Sequence, residues 1–156
     1  MPKDKVIFLM IGIPGSGKTT IRETQLEYLG DYVVISSDDY IEFFAAAAGS
    51  TYSEVFSTAI KHADSHINHQ LEYALKHGKN IVWDQTNLTT KKRKYVLSKI
   101  PDDYKRVAIF VDPPLQVALQ RNSERSRKVP EEVIEKMYNS LELPQYAEGF
   151  DQIIRY

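Results

Sequence analysis

Residues 12–19 read Gly12-Ile13-Pro14-Gly15-Ser16-Gly17-Lys18-Thr19, a full fit to the pattern G-x-x-x-x-G-K-[ST]. The stretch sits where that pattern has a physical use. An apolar run, Val6-Ile7-Phe8-Leu9-Met10-Ile11, precedes it, and a helix is expected to begin at Lys18. Glycines let a chain wrap closely around an anion with its N–H groups turned inward. A helix that follows adds unpaired N–H groups and the positive end of its dipole. This strand-turn-helix context separates the stretch from an accidental glycine-rich turn and implies a nucleoside triphosphate site. In it Gly12, Gly15, Ser16, Gly17, Lys18, Thr19 and Thr20 are the candidate ATP contacts. Lys18 is expected to reach the β and γ phosphates, and the Thr19 hydroxyl to ligate Mg²⁺.

Outward from this stretch, short apolar runs alternate with longer helical patterns, which argues for parallel βαβ units. The candidate strands are Val6–Ile11, Tyr32–Ser36, Asn80–Trp83, Arg106–Val111 and Gln152–Arg155. Each is apolar nearly throughout, as strands covered by helices on both faces are. The longest helical pattern runs from Tyr52 to Lys76, with apolar residues at three- and four-residue steps and Gly78 as a stop. Pro114 and Pro130 each suit the opening of a helix, and the helix-forming run Ala45–Ala48 is closed by Gly49. The expected fold is α/β, a central parallel sheet of about five strands flanked by helices.

At 156 residues, 42% hydrophobic and 26% charged, the chain has the size and composition of one domain, 1–156. That argues against a repeat array, a collagen-like chain and a multi-domain enzyme. Ten Tyr, six Phe and one Trp suffice for a core without covalent staples. The absence of cysteine excludes a disulfide framework, a thiolate metal site and a thiol nucleophile. No apolar run approaches the ~20 residues that cross a bilayer, and the first is followed by no small-residue cleavage site. The chain therefore reads as cytosolic. A net charge of −1 hides an asymmetry. Between Gln85 and Lys128 eleven Lys/Arg face four Asp/Glu, a local balance of +7. Such a segment is either an anion-binding face or a solvated surface.

A phosphate loop alone names no reaction, since GTPases, motors and kinases share it. Here the next strand ends in Ser36-Ser37-Asp38-Asp39, not in a GTPase base-recognition sequence, and the length leaves no room for motor modules. A small phosphotransferase is favoured. Asp38 and Asp39 stand at the carboxyl end of a strand, where ligands bind in open α/β sheets. Asp39 and Glu42 have capping-box spacing. If Asp39 caps, Asp38 is left to act as general base or orienter of a hydroxyl, with pure capping as the rival. Asp84-Gln85-Thr86-Asn87 ends another strand, and Asp84 there can align an acceptor, hold Mg²⁺ through water, or simply form a turn. Arg121, Arg125, Arg127 and Lys128 cluster before Pro130, as a phosphate-gripping lid near 121–130 or as a solvated basic helix end. His62, His66 and His69 share one side of the long helix without a metal-site arrangement. Tyr40, Phe43 and Phe44 read as core, with one ring able to stack a base.

With the phosphate loop, Asp38-Asp39-Tyr40, Asp84-Gln85-Thr86-Asn87-Leu88 and Arg121-Asn122-Ser123-Glu124-Arg125 all in order, the chain resembles the kinase domain of phage polynucleotide 5′-hydroxyl kinases. The resemblance runs from about Val6 to about Tyr138. It implies a P-loop kinase fold in which Lys18 and Thr19 serve phosphate and metal, and Asp38 activates the acceptor hydroxyl. It further implies that Asp84, with Thr86 and Asn87, belongs to the acceptor site, and that Arg121 and Arg125 are lid arginines on the donor phosphates. The family places an arginine three residues after the general base, on the phosphate next to the acceptor nucleoside; here that position is Ile41. The phosphatase domain of fused family members has no counterpart in the chain.

The resulting expectation is an ATP- and Mg²⁺-dependent kinase acting on the 5′-hydroxyl of a polynucleotide, with Lys18, Asp38 and Arg125 as catalytic residues. A kinase of a small hydroxylated molecule (a nucleoside, modified base or sugar) is the first alternative, favoured by Ile41. A non-catalytic nucleotide-binding module is the second.

Overall fold

The apolar strand ahead of the phosphate loop lies at the centre of a five-stranded sheet ordered β2-β3-β1-β4-β5. The structure is a computed structural model that describes residues 5–26, 30–125 and 128–156. Its strands are β1 (Lys5–Ile11), β2 (Tyr32–Ile35), β3 (Asn80–Asp84), β4 (Tyr104–Phe110) and β5 (Gln152–Arg155). Its helices are α1 (Lys18–Gln25), α2 (Ser37–Ala48), α3 (Tyr52–Lys76), α4 (Thr90–Leu97), α5 (Leu115–Glu124) and α6 (Glu131–Ser140). Every adjacent strand pair is parallel, with Leu9 of β1 level with Trp83 of β3 and Ala108 of β4. From β1 the chain steps over the place of β3 to β2, returns to β3, and then crosses to β4. The reversal opens a crevice at the carboxyl ends of β1 and β3, where open α/β sheets bind ligands.

The period of two explains the nearly unbroken apolar strands. Ile7, Leu9 and Ile11 enter one core with Ile67, Leu71 and Ala74 of α3 and Val96 and Leu97 of α4. Phe8 and Met10 enter the opposite core with Leu26, Val107 and Ile109. Both faces are covered, as parallel sheets require.

Helix α3 has the expected bounds, and Thr51 and Glu54 close a capping box at its start. Strand β4 begins two residues earlier than expected, because the Tyr104 ring is buried and its hydroxyl donates to the Lys79 carbonyl at 2.7 Å. Strand β2 ends at Ile35, because the Ser36 hydroxyl accepts the Asp39 N–H at 3.2 Å and caps α2. Asp39 is thus the third residue of the helix and not its cap, which corrects the capping expectation.

Ile41 is fully buried against Ala45, Val55 and Ala59, where α2 packs on α3. Its position cannot report on a phosphate contact, since the side chain does not reach the cleft. The +7 segment is not one continuous solvent-facing surface. Arg93 is wholly buried, donating to Glu148 at 2.7 and 3.1 Å and to the Asn87 carbonyl at 2.9 Å. Arg106 donates to the Leu97 and Ile100 carbonyls. Tyr40 stacks on His66 with 4.5 Å between ring centroids, whereas Phe43 is 74% exposed and no part of the core. No described helix is long and apolar enough to cross a membrane.

Candidate active site

The phosphate loop leaves β1 and enters α1 through two glycines in the left-handed region. Gly15 has φ +80°, and a Cβ there would meet the Ala118 carbonyl oxygen at 2.5 Å. Gly17 has φ +101°, and a Cβ there would meet Arg121 Nη1 at 2.9 Å. The loop is therefore pressed against α5, and only glycine fits the approach. Arg121 completes that contact by donating to the Ser16 carbonyl at 2.8 Å. Lys18 Nζ donates to the Gly12 carbonyl at 2.6 Å, folded over the loop it belongs to. Gly12 itself is buried behind the loop.

An open cleft of about 730 Å³ lies over this loop. Gly15 to Thr20 form one wall, with Arg121, Arg125 and Lys128 beside them. Asp38 and Asp39, on the exposed first turn of α2, face the same space with Tyr52 and Phe56 of α3. Asp84, Gln85, Thr86 and Lys92 close it at the end of β3 and the start of α4. Lys18, Thr19, Asp38, Asp84, Thr86, Arg121 and Arg125, all candidates from the sequence, thus meet in one cleft. Arg127 lies outside the described residues.

Asn87 does not join them. Its backbone has φ +48°, and its buried amide donates to the Met10 carbonyl at 2.7 Å. Expected among the acceptor contacts, it instead pins the loop after β3 to the end of β1. The backbone strain of the left-handed turn is tolerable at asparagine, whose short side chain bonds locally.

Several further side chains complete the site. Arg22, one helical turn after Lys18, donates to Asp84 Oδ2 at 2.8 Å and to Asp39 Oδ2 at 3.4 Å. The Arg22–Asp84 pair is nearly enclosed, with side chains 12% and 9% exposed. Burial pushes the Asp84 carboxyl above the ordinary carboxylate range; Lys18 and Arg22 pull it down, and Asp39 and Asp38 push it up again. The Tyr52 hydroxyl donates to Asp38 Oδ1 at 2.7 Å. Asn122, buried in α5, pairs with Val129 on both sides: its Nδ2 donates to the carbonyl at 2.6 Å and its Oδ1 accepts the N–H at 2.9 Å. That clasp joins the two ends of the arginine-bearing segment. The sequence signals for these were the i, i+4 spacing of Lys18 and Arg22 and the place of Asn122 inside the Arg121–Arg125 element, neither of which names a partner.

The family model described as an AAA domain matches residues 7–144. L-seryl-tRNA(Sec) kinase of Methanococcus maripaludis is 26% identical over 151 residues, 94% of this chain and 56% of that protein. The chain therefore spans little more than half the length of that relative. Among solved structures, a chain of the Pnkp1/Rnl/Hen1 RNA repair complex superimposes with a TM-score of 0.71 at 18% identity, covering 90% of this chain and 45% of that one. Shikimate kinase from Acinetobacter baumannii in complex with shikimate gives 0.58 at 18% identity, covering 99% and 85%. The fold is that of the P-loop kinases.

Proposed function

We propose, for a chain that belongs to the AAA domain family and is a kinase of the P-loop type, that the γ-phosphoryl group of ATP passes to the 5′-hydroxyl of a polynucleotide. The observation that carries this reading is the meeting of a phosphate loop, arginines from α5 and the Asp38–Asp39 pair around one cleft. The acceptor oxygen attacks the γ phosphorus in line. The bond from that phosphorus to the β–γ bridging oxygen breaks, ADP leaves with the electron pair, and the hydroxyl proton goes to Asp38. A weak base suffices for that step, because proton removal comes late in a loose phosphoryl transition state. Lys18 and Arg125 hold the transferring oxygens, and the segment near 121–130 closes over the donor as a lid. Thr19 and Asp84 offer hard oxygen donors of the kind Mg²⁺ takes beside phosphates, Asp84 through water. When bound there, the ion would neutralise charge on the nucleotide's phosphates.

Nucleic acid as acceptor is supported by α4, whose Lys91, Lys92 and Lys94 are accompanied by no acidic residue. The resemblance to phage-type polynucleotide kinases points the same way, and the L-seryl-tRNA(Sec) kinase named above has an RNA-linked substrate by its name. One observation favours a small hydroxylated acceptor instead: Ser36 to Asp39 and Tyr52, Ser53 and Phe56 line their side of the cleft without a lysine or arginine. The test is transfer of label from γ-labelled ATP to 5′-hydroxyl DNA, 5′-hydroxyl RNA, nucleosides and sugars, with Lys18→Ala as control. Labelled oligonucleotide that Lys18→Ala does not produce is expected. Label on sugars or nucleosides alone would establish the small-molecule reading, and label on none would leave a nucleotide-binding module.

A further inference from the structure

We infer that Tyr52 and Phe56 form the stacking wall of the acceptor subsite, taking the flat face of the acceptor's terminal nucleobase. The inference rests on Asp38 as the acceptor-side carboxylate and deepens that reading by naming what lies next to the hydroxyl.

The two residues stand one helical turn apart on α3, so they share a face. Their ring centroids are 5.7 Å apart at a tilt of 40°, and both rings line the cleft. Tyr52 is the first residue of the helix, inside the capping box of Thr51 and Glu54 that fixes where the helix starts. Its hydroxyl is bonded to Asp38, so the ring is held at both ends, by the helix and by the carboxylate. Phe56 is 42% exposed although it faces a cleft. An aromatic ring exposed inside a binding cleft, beside a second ring of fixed orientation, is a surface for a flat apolar partner. Charge narrows the partner further. The wall made by α2 and the start of α3 carries Asp38 and Asp39 and no cation among its lining residues. It repels phosphate and accepts a neutral ring. In a terminal nucleoside the base and the 5′-hydroxyl are separated by one sugar ring, and here the aromatic wall and the hydroxyl-directing carboxylate are joined by one hydrogen bond. Stacking of this kind is sequence-tolerant, because every base has a π-face.

The test compares an oligonucleotide ending in a normal 5′-hydroxyl nucleoside with one ending in an abasic 5′-hydroxyl sugar. Phe56→Ala should raise the acceptor KM for the normal end on the order of tenfold or more. It should leave the KM for ATP and the weak use of the abasic end unchanged. Phe56→Trp should retain the preference for a base, and its emission should be quenched by the oligonucleotide and by adenosine but not by ribose. The native Trp83 is buried and is a poor reporter of the cleft. Equal losses of Phe56→Ala on both ends, or an unaltered acceptor KM, would overturn the wall while leaving polynucleotide transfer intact. If the wild type labels no oligonucleotide, the functional reading fails by itself, and quenching then decides. Quenching by adenosine and not ribose retains a base-stacking wall; no quenching overturns it.

Discussion

The Arg22 guanidinium lies 2.8 Å from Asp84 and ties helix α1 to the end of β3 beneath the cleft. The pair places a carboxylate that burial disfavours as an anion beside one of the two cations, Lys18 and Arg22, that partly offset that burial. Removing one partner leaves the other enclosed, and that is expensive.

The sign of the resulting pH dependence is fixed. The folded Asp84 carboxyl titrates above its unfolded value near 3.8, so the folded state holds its proton more tightly. This contribution to stability is complete below the unfolded value and is lost as pH rises through the folded one. Asp84→Asn should therefore gain stability relative to the wild type as pH rises from about 4 toward neutrality. Urea unfolding of both proteins across that range checks it; a difference that shrinks with pH would contradict the dominance of burial. In the same sense, Arg22→Ala should move the acid limb of the transfer rate to higher pH.

Asp38 and Asp39 are neighbours with different partners, Tyr52 for one and Arg22 for the other. Asp38→Asn should retain ATP binding and lose transfer by roughly a hundredfold or more, the usual cost of a general base. Asp39→Asn should lose far less. Tyr52→Phe keeps the ring and removes the hydroxyl, so it should lower kcat with little change in acceptor KM. Single-turnover rates with separate ATP titrations distinguish these, and the reverse order of the two aspartates would exchange their roles.

Ile41→Arg would bury a guanidinium among Ala45, Val55 and Ala59. An unpaired charge at such a site costs several kcal/mol. The expected outcome is a large fall in Tm with no improvement for acceptors that carry a 3′-phosphate. A variant of unchanged Tm with a selective gain on those acceptors would mean that position 41 does face the acceptor.

Asn122→Ala removes both bonds to the Val129 backbone and leaves buried polar groups unpaired, a cost of about 1–3 kcal/mol for each. If the clasp sets the lid, turnover should drop more than ATP affinity, and the Val129 amide should exchange faster with solvent. Loss of stability with normal turnover per folded molecule would reduce Asn122 to a packing role.

What the sequence determined by itself was whatever a local pattern encodes. The apolar run before Gly12, the glycines of the loop and the three- and four-residue periodicity from Tyr52 to Lys76 each specify a conformation over a few turns of chain. The parallel sheet and the meeting of Lys18, Asp38 and Asp84 follow from those elements, because strand ends in such a sheet share one edge; Arg121 and Arg125 come to it from the far end of α5. Where a side chain's partner is distant in the chain, the pattern is silent. Arg22 and Asp84 are 62 residues apart, and Asn87 and the Met10 carbonyl 77. Ile41 is an ordinary apolar residue of an amphipathic helix, and only the packing of α2 on α3 turns it away from the cleft. Arg93 belongs to a basic run by sequence and to the interior by structure, because Glu148 and two loop carbonyls satisfy its donors. Charge and hydropathy are properties of residues, but burial and pairing are properties of the assembled chain, so tertiary structure decided how Arg22, Ile41, Asn87 and Arg93 are used.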